Sequence, residues 1–286
     1  MDSTLSTSEA PSLNGRTAGR YVVVDGVRLW VEEEGTGVPL LLIPGLGVGT
    51  WLWAAGRERL AEHFRLVMPE LRGSGRSDKP DERYTVLQFA EDLIGVLDAL
   101  EIERTHVLGA SLGGFVAQLL AATWPERTDR LVLAATAVGG QNQVGPSGDV
   151  LARTIRPRGR TRRERLEDTY ALGFTDAFRE AHPERLDAIT DWRTAHPQPE
   201  VAYYRQLLAG NAYDGAEIAP RIKAPTLVCV GEDDPVVPPE NAEALSTLIP
   251  DTRVERFPGR HLFFIESADA FGQTVTAFLR ADGEAG

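Results

Sequence analysis

The feature that most constrains this chain is Gly109-Ala110-Ser111-Leu112-Gly113. It lies between a short apolar run (Val107, Leu108) and a helix-forming run from Phe115 to Thr123 that stops at Trp124-Pro125. A strand that reverses directly into a helix crowds its own backbone at the junction. Glycines two positions before and after the central residue remove the Cβ atoms that would collide there. The serine is then held at the apex in a strained conformation, with Oγ exposed and a helix N-terminus behind it. Glycine and serine are common, so the pattern carries meaning only in its strand–turn–helix context. On this stretch alone, an ordinary glycine-rich turn is the plainer alternative.

The rest of the chain supplies a matching context. Residues 21–24 and 27–31 read as strands joined by Asp25-Gly26, which provides the positive φ angles of a tight hairpin. Residues 39–43 form a continuous apolar run, as expected of a strand buried on both faces. A helix over about 53–63, a strand over 64–68 and a loop over 70–78 follow. Thr85 and Gln88 have capping-box spacing, opening a helix that carries Phe89, Leu93, Val96 and Leu97 on one face and ends near Leu100. A strand over 130–134 follows the Ser111 turn. From Thr226 the rhythm resumes, with strands at 226–230 and 253–257 and helices at 239–248 and 266–280. This alternation predicts an α/β architecture, a mostly parallel, doubly wound sheet. Residues 139–219 interrupt it with a charged, helical stretch, read as a helical cap inserted between two strands. The expected organisation is a disordered leader over 1–20, a core over 21–138 and 220–282, and the cap over 139–219.

A length of 286 residues suffices for such a domain. The net charge of −12 argues against general nucleic-acid binding, which wants a basic face. There is no apolar run of about 18 residues, so no membrane span is expected. Residues 1–20 lack the apolar segment of a signal peptide, and a cytoplasmic location is expected. Cys229 has no second cysteine to pair with and reads as a small buried hydrophobe.

A serine hydroxyl needs a base to take its proton, and the base needs an orienting partner. Of the five histidines, His106 precedes the strand before Ser111 and reads as a packing or strand-edge residue. His63 sits at a helix end, and His182 and His196 each precede a proline in the cap. His261 follows the strand ending at Phe257, at the carboxyl end of the sheet, where open α/β folds place their ligand sites. It is the best-placed base. The acid should lie between serine and histidine in chain order. Asp233 and Asp234, after the strand 226–230, both qualify, and Asp234 is preferred. A developing oxyanion needs fixed N–H donors. The backbone N–H of Leu112 is one candidate, and that of Leu46, between Gly45 and Gly47, is the other.

Together these segments resemble the α/β-hydrolase superfamily over about residues 20–280. The match includes Ile43-Pro44-Gly45-Leu46-Gly47, Leu71-Arg72-Gly73-Ser74-Gly75-Arg76-Ser77, the Ser111 turn, and the Asp234 and His261 loops. Within it the chain looks most like lid-bearing esterases and lactonases, 3-oxoadipate enol-lactonases among them, and like cofactor-free haloperoxidases and perhydrolases. One departure is Pro44, where the family commonly has histidine; proline removes an N–H and a polar side chain. The resemblance implies a serine hydrolase acting on a small carboxylic ester or lactone, without metal or organic cofactor. A C–C bond hydrolase, or a haloperoxidase or perhydrolase, is the alternative on the same triad, and a non-catalytic ligand-binding protein the alternative of another class.

A dinucleotide site at Gly45-x-Gly47-x-Gly49, with Glu70 as the ribose acid, competes locally. It has Thr50 where the third glycine belongs. In the cap, residues 153–165 hold seven arginines (Arg153, Arg156, Arg158, Arg160, Arg162, Arg163 and Arg165). They read first as a solvated face, and second as the source of one arginine that grips an anionic substrate. Trp51, Trp53, Phe174, Trp192, Tyr203 and Tyr204 are candidates for the pocket lining.

Overall fold

The computed structural model describes residues 3–6, 19–155, 158–159 and 161–281. Among them nine strands form one sheet: β1 (Ser3–Ser6), β2 (Gly19–Val24), β3 (Val27–Glu34), β4 (Val38–Ile43), β5 (Phe64–Pro69), β6 (Thr105–Ala110), β7 (Thr128–Ala134), β8 (Thr226–Gly231) and β9 (Thr252–Phe257). Their order is β1-β2-β3-β5-β4-β6-β7-β8-β9. The pairs from β5 through β9 are parallel, and β1, β2 and β3 add an antiparallel edge. This is the mostly parallel α/β sheet that the alternation predicts.

The parallel centre is buried on both faces. Leu41, Ile43, Val107, Leu133 and Val228 enter one apolar cluster, and Leu40, Leu42, Leu108, Val132 and Leu227 enter the other. Each such side chain contributes about 1.5–3 kcal/mol on leaving water, which is why these strands read as unbroken apolar runs. Between the strands run α1 (Arg57–Ala61), α2 (Val86–Ala99) and α3 (Leu112–Thr123). The capping box that opens α2 is formed: Gln88 N donates to Thr85 Oγ1 and Thr85 N to Gln88 Oε1. The hairpin turn has Asp25 at φ 46° and Gly26 at φ 82°. Between β7 and β8 the chain leaves the sheet, and the described residues there include the α-helices α4 (Gly148–Ile155), α5 (Arg162–Gly173), α6 (Asp176–Ala181), α7 (Pro183–Ala195) and α8 (Glu200–Asn211). The helices α9 (Asn241–Leu248), α10 (Phe263–Glu266) and α11 (Ala268–Arg280) complete the chain.

Two expectations are corrected. The leader is not wholly without structure: Ser3–Ser6 pairs antiparallel with Tyr21–Val24, and Gly19 and Arg20 already belong to β2. The open edge of β2 offers backbone groups that an extended segment can satisfy. The other residues of 1–18 lie outside those described. The single helix over 53–63 is instead a 3₁₀ turn, Thr50–Trp53, followed by α1. Gly56 separates the two, while Trp51, Leu52 and Trp53 turn inward.

His106 is buried in β6, edge-on to Phe64, with Nδ1 3.4 Å from Asp129 Oδ2. Burial lowers its pKa, against the opposing pull of Asp129. Protons therefore favour the unfolded chain. The stability tied to His106 is present above the unfolded imidazole pKa, about 6.5, and is lost as pH falls below it. Urea unfolding between pH 7.5 and about 5 should show stability falling with acid, with a shallower slope in His106→Phe; equal slopes would contradict this assignment.

Candidate active site

Ser111 stands between β6 and α3 at φ 54°, ψ −120°. A non-glycine residue persists there only if its surroundings over-determine it. They do: Ser111 N donates to Ala134 O, and Ser111 O accepts from Gly114 N and from Thr136 Oγ1. The flanking glycines are required by close approach. A Cβ on Gly113 would lie 2.2 Å from Ile43 O, and one on Gly109 would lie 2.3 Å from Gly113 O.

His261 Nε2 lies 3.1 Å from Ser111 Oγ, and its Nδ1 lies 2.8 Å from Asp234 Oδ2. Asp234 is buried, and its Oδ1 accepts the backbone N–H groups of Val236 at 2.8 Å and Val237 at 2.9 Å. Both carboxylate oxygens are thus committed and the side chain cannot turn. Asp233 is exposed and is left as a loop carboxylate. The loops after β8 and β9 meet because Gly231 has no side chain: a Cβ there would lie 2.5 Å from Arg260 O. Leu262 N donates to Gly173 O at the end of α5, which ties the His261 loop to the helical segment.

Ser111 and His261 open onto a cavity of about 150 Å³ whose walls include Gly45, Leu46, Trp51 and Tyr203. Leu112, the first residue of α3, follows Ser111 with its N–H at the helix N-terminus. Beside this cavity lies a larger one of about 480 Å³, walled in part by Trp192, His196 and Tyr204. Arg193 and Tyr203 border both.

Several pocket expectations are corrected. Trp53 is buried in the core against Phe264, and Phe174 is fully buried in a stack with Phe178; neither lines the Ser111 cavity. Their flat apolar surfaces are more stable packed against other rings than lining a partly wet pocket. Trp192 and Tyr204 border only the outer cavity. Trp192 is held by Arg76, whose guanidinium lies 5.4 Å from its ring and 4.5 Å from that of Trp30.

Three arginines of the run meet acids, and Arg162 donates to the Arg193 carbonyl. Arg153 meets Asp168, Arg158 meets Asp149, and Arg163 meets Glu167, Asp187 and Asp191. Arg156 and Arg160 lie outside the described residues. The arginine that reaches the Ser111 cavity is Arg193 of α7, which sequence reading passed over because it stands alone in the chain. Among the described residues no carboxylate stands within 4.0 Å of its guanidinium. Burial lowers its pKa against the opposing phenols of Tyr170 and Tyr203, and burial pushes the Tyr203 phenol up to about 12.

The dinucleotide reading fails on geometry. Glu70 is fully buried and accepts from Arg76 and from Thr50 N, so it cannot hold a ribose. The glycine loop leads into a four-residue 3₁₀ turn, not the long helix whose N-terminus would face a pyrophosphate.

Ser111, His261 and buried Asp234 are thus aligned at the carboxyl ends of β6, β9 and β8. Residues 38–268 match the α/β-hydrolase fold family, and the chain belongs to it. It is 30% identical to a poly(3-hydroxyalkanoate) depolymerase of Ectopseudomonas oleovorans over 244 residues, 85% of each chain. It is also 30% identical to a 2-hydroxymuconate semialdehyde hydrolase of a Pseudomonas species, covering 93% of this chain and 95% of that one. Among solved structures, the enol-lactonase of Burkholderia xenovorans superposes with a TM-score of 0.81 at 30% identity, over 91% of this chain and 99% of that one. Among the described residues, no helix is long and apolar enough to cross a membrane.

Proposed function

We propose that this protein is a serine hydrolase that cleaves a carboxylic ester or lactone through an acyl-enzyme. The observation that carries the reading is the unbroken line from Ser111 Oγ to His261 to buried Asp234 at the wall of a mostly apolar cavity. Ser111 Oγ attacks the carbonyl carbon while His261 Nε2 takes its proton. Asp234 holds the Nδ1–H tautomer and stabilises the imidazolium. The carbonyl oxygen becomes an oxyanion held by the N–H groups of Leu46 and Leu112. The latter begins α3 and has no acceptor within the helix, and its position at the helix N-terminus suits an anion. Collapse expels the alkoxide, which receives the proton from His261. Water, deprotonated by His261, then releases the acid and restores Ser111.

Helices α4 to α8, within residues 139–219, act in this reading as a cap that closes the cavity and selects the substrate. Hydrolysis of a short p-nitrophenyl ester, together with fluorophosphonate labelling at Ser111, tests the proposal; a folded protein that does neither would refute it. Homologues include C–C hydrolases as well as ester hydrolases and an enol-lactonase. Release of a carbon leaving group by the same triad is therefore the second reading, and assaying a vinylogous 1,5-diketone beside the ester separates the two.

Arg193 gives the cavity its cation. In this reading it receives a carboxylate carried by the substrate, a charge-assisted contact of about 1.5–3 kcal/mol. Arg193→Met is expected to raise KM about 10- to 100-fold for an ester bearing a free carboxylate, while a neutral ester stays within about twofold. Equal effects on both would remove Arg193 from recognition.

A further inference from the structure

Gln206 lies fully buried in α8, yet it ties that helix to two segments distant in the chain. Its Oε1 accepts the Gly47 N–H at 3.0 Å. Its Nε2 donates to the Arg72 carbonyl at 2.7 Å and to Ser74 Oγ at 2.8 Å. Gln198 Nε2 also reaches Oε1, at 3.0 Å. A backbone N–H can only donate and a carbonyl can only accept, so Gly47 and Arg72 leave one orientation for this amide.

The loop that carries Leu46 needs such an outside hold. Pro44 brings neither an N–H nor a polar side chain. Gly45 and Gly47 restrict the backbone little, and Gly47 sits at φ 69°. The loop also lies hard against the nucleophile: a Cβ on Gly45 would stand 3.2 Å from Ser111 Cβ. On its other side a Cβ on Gly47 would meet Gln198 Oε1 at 2.8 Å and the Tyr203 ring at 3.0 Å. The loop is thus clasped between Ser111 and the helix that carries Gln206.

We infer that Gln206 is a positioning residue: from α8 it orients the Leu46–Gly47 peptide, and thereby holds the Leu46 N–H one peptide upstream against the developing oxyanion. The inference rests on the serine-hydrolase reading of Ser111 and Leu46. It makes seating of α8 and completion of the oxyanion site a single event. It also gives a role to the Arg72–Ser74 turn: the Arg72 carbonyl holds Nε2, and the Ser74 hydroxyl lies within reach of both ends of the amide, 2.8 Å from Nε2 and 3.1 Å from Oε1.

The test compares wild type, Gln206→Met and Gln206→Asn. Methionine keeps the length without the polar ends, and asparagine keeps the amide but is too short to span Gly47 and Arg72. The readouts are kcat and KM on a p-nitrophenyl ester, the pH–rate profile, and inhibition by an alkyl boronic acid, which forms a tetrahedral anionic adduct on serine. A displaced donor is expected to lower kcat about 10- to 100-fold, below the cost of losing the donor outright. The boronate inhibition constant should rise by the same factor, with KM within about twofold and the pH profile unmoved. A folded variant with wild-type kcat overturns the inference. So does a loss carried by KM, or a fall in kcat with boronate affinity unchanged. If Gln206→Met does not fold, Gln206→Asn decides by the same criteria. Wild type that neither turns over nor labels would refute the serine-hydrolase reading itself, an outcome separate from all of these.

Discussion

Replacing Ser111 with alanine is expected to lower kcat for a p-nitrophenyl ester by about 10⁶-fold, the scale seen when a serine nucleophile is removed from other triads. Fluorophosphonate labelling should vanish with it. The fold should survive, because the serine hydroxyl makes its contact with His261 and not with the core. A second substitution separates chemistry from strain. Ser111 sits at φ 54°, ψ −120°, a conformation that costs a non-glycine residue about 1–3 kcal/mol. Ser111→Gly should therefore be as inactive as the alanine variant but more stable, by about 1 kcal/mol in urea unfolding once the added freedom of the unfolded chain is subtracted. An alanine variant that retains turnover within tenfold of wild type would place the nucleophile elsewhere.

Replacing Asp234 with asparagine should cost about 10⁴-fold in kcat, the magnitude of the same change in other Ser-His-Asp enzymes. The geometry shows why an isosteric side chain fails. Oδ1 accepts two backbone N–H groups, from Val236 and Val237, so the oxygen of the new amide must occupy that position. The NH₂ group then faces His261 Nδ1 and donates to it. Nδ1 becomes the acceptor, the proton moves to Nε2, and the imidazole can no longer take a proton from Ser111. Asp233→Asn, at an exposed position, should leave kcat within about twofold. Steady-state kinetics of the two variants, side by side, would reject the assignment of Asp234 if they fell equally.

Much of the arrangement was readable because its causes are local. Gly109 follows from backbone crowding within one turn, where its Cβ would meet Gly113 O, whereas Gly113 is required by Ile43 O on the neighbouring strand. Asp234 could be placed because it follows β8, an unbroken apolar run, and His261 because it alone of the five histidines stands after a strand late in the α/β alternation, although that strand, Thr252–Phe257, is largely polar and exposed. Asp233 could not be dismissed from spacing alone. The distinction comes from burial and from the two N–H groups that hold Asp234.

The pocket lining and the helical segment were far less legible. Trp53 and Phe174 have the composition of pocket residues but stack in the core. The arginine run drew attention by number, yet Arg153 and Arg163 meet acids on neighbouring helices. Arg193 and Gln206, which do face the cavity and its loop, carry no local signal. Each is one of several polar residues on a helix with no strongly one-sided apolar stripe.

The sequence by itself determined the α/β class, the order of serine, acid and histidine, and the elements that carry them, because those depend on periodicity and on turns a few residues long. Tertiary structure alone decided which carboxylate, which arginine and which glutamine meet the site. Those contacts join residues 27 to 159 positions apart, and which side chain arrives depends on how two helix faces and three loops pack, a property no short window of sequence contains.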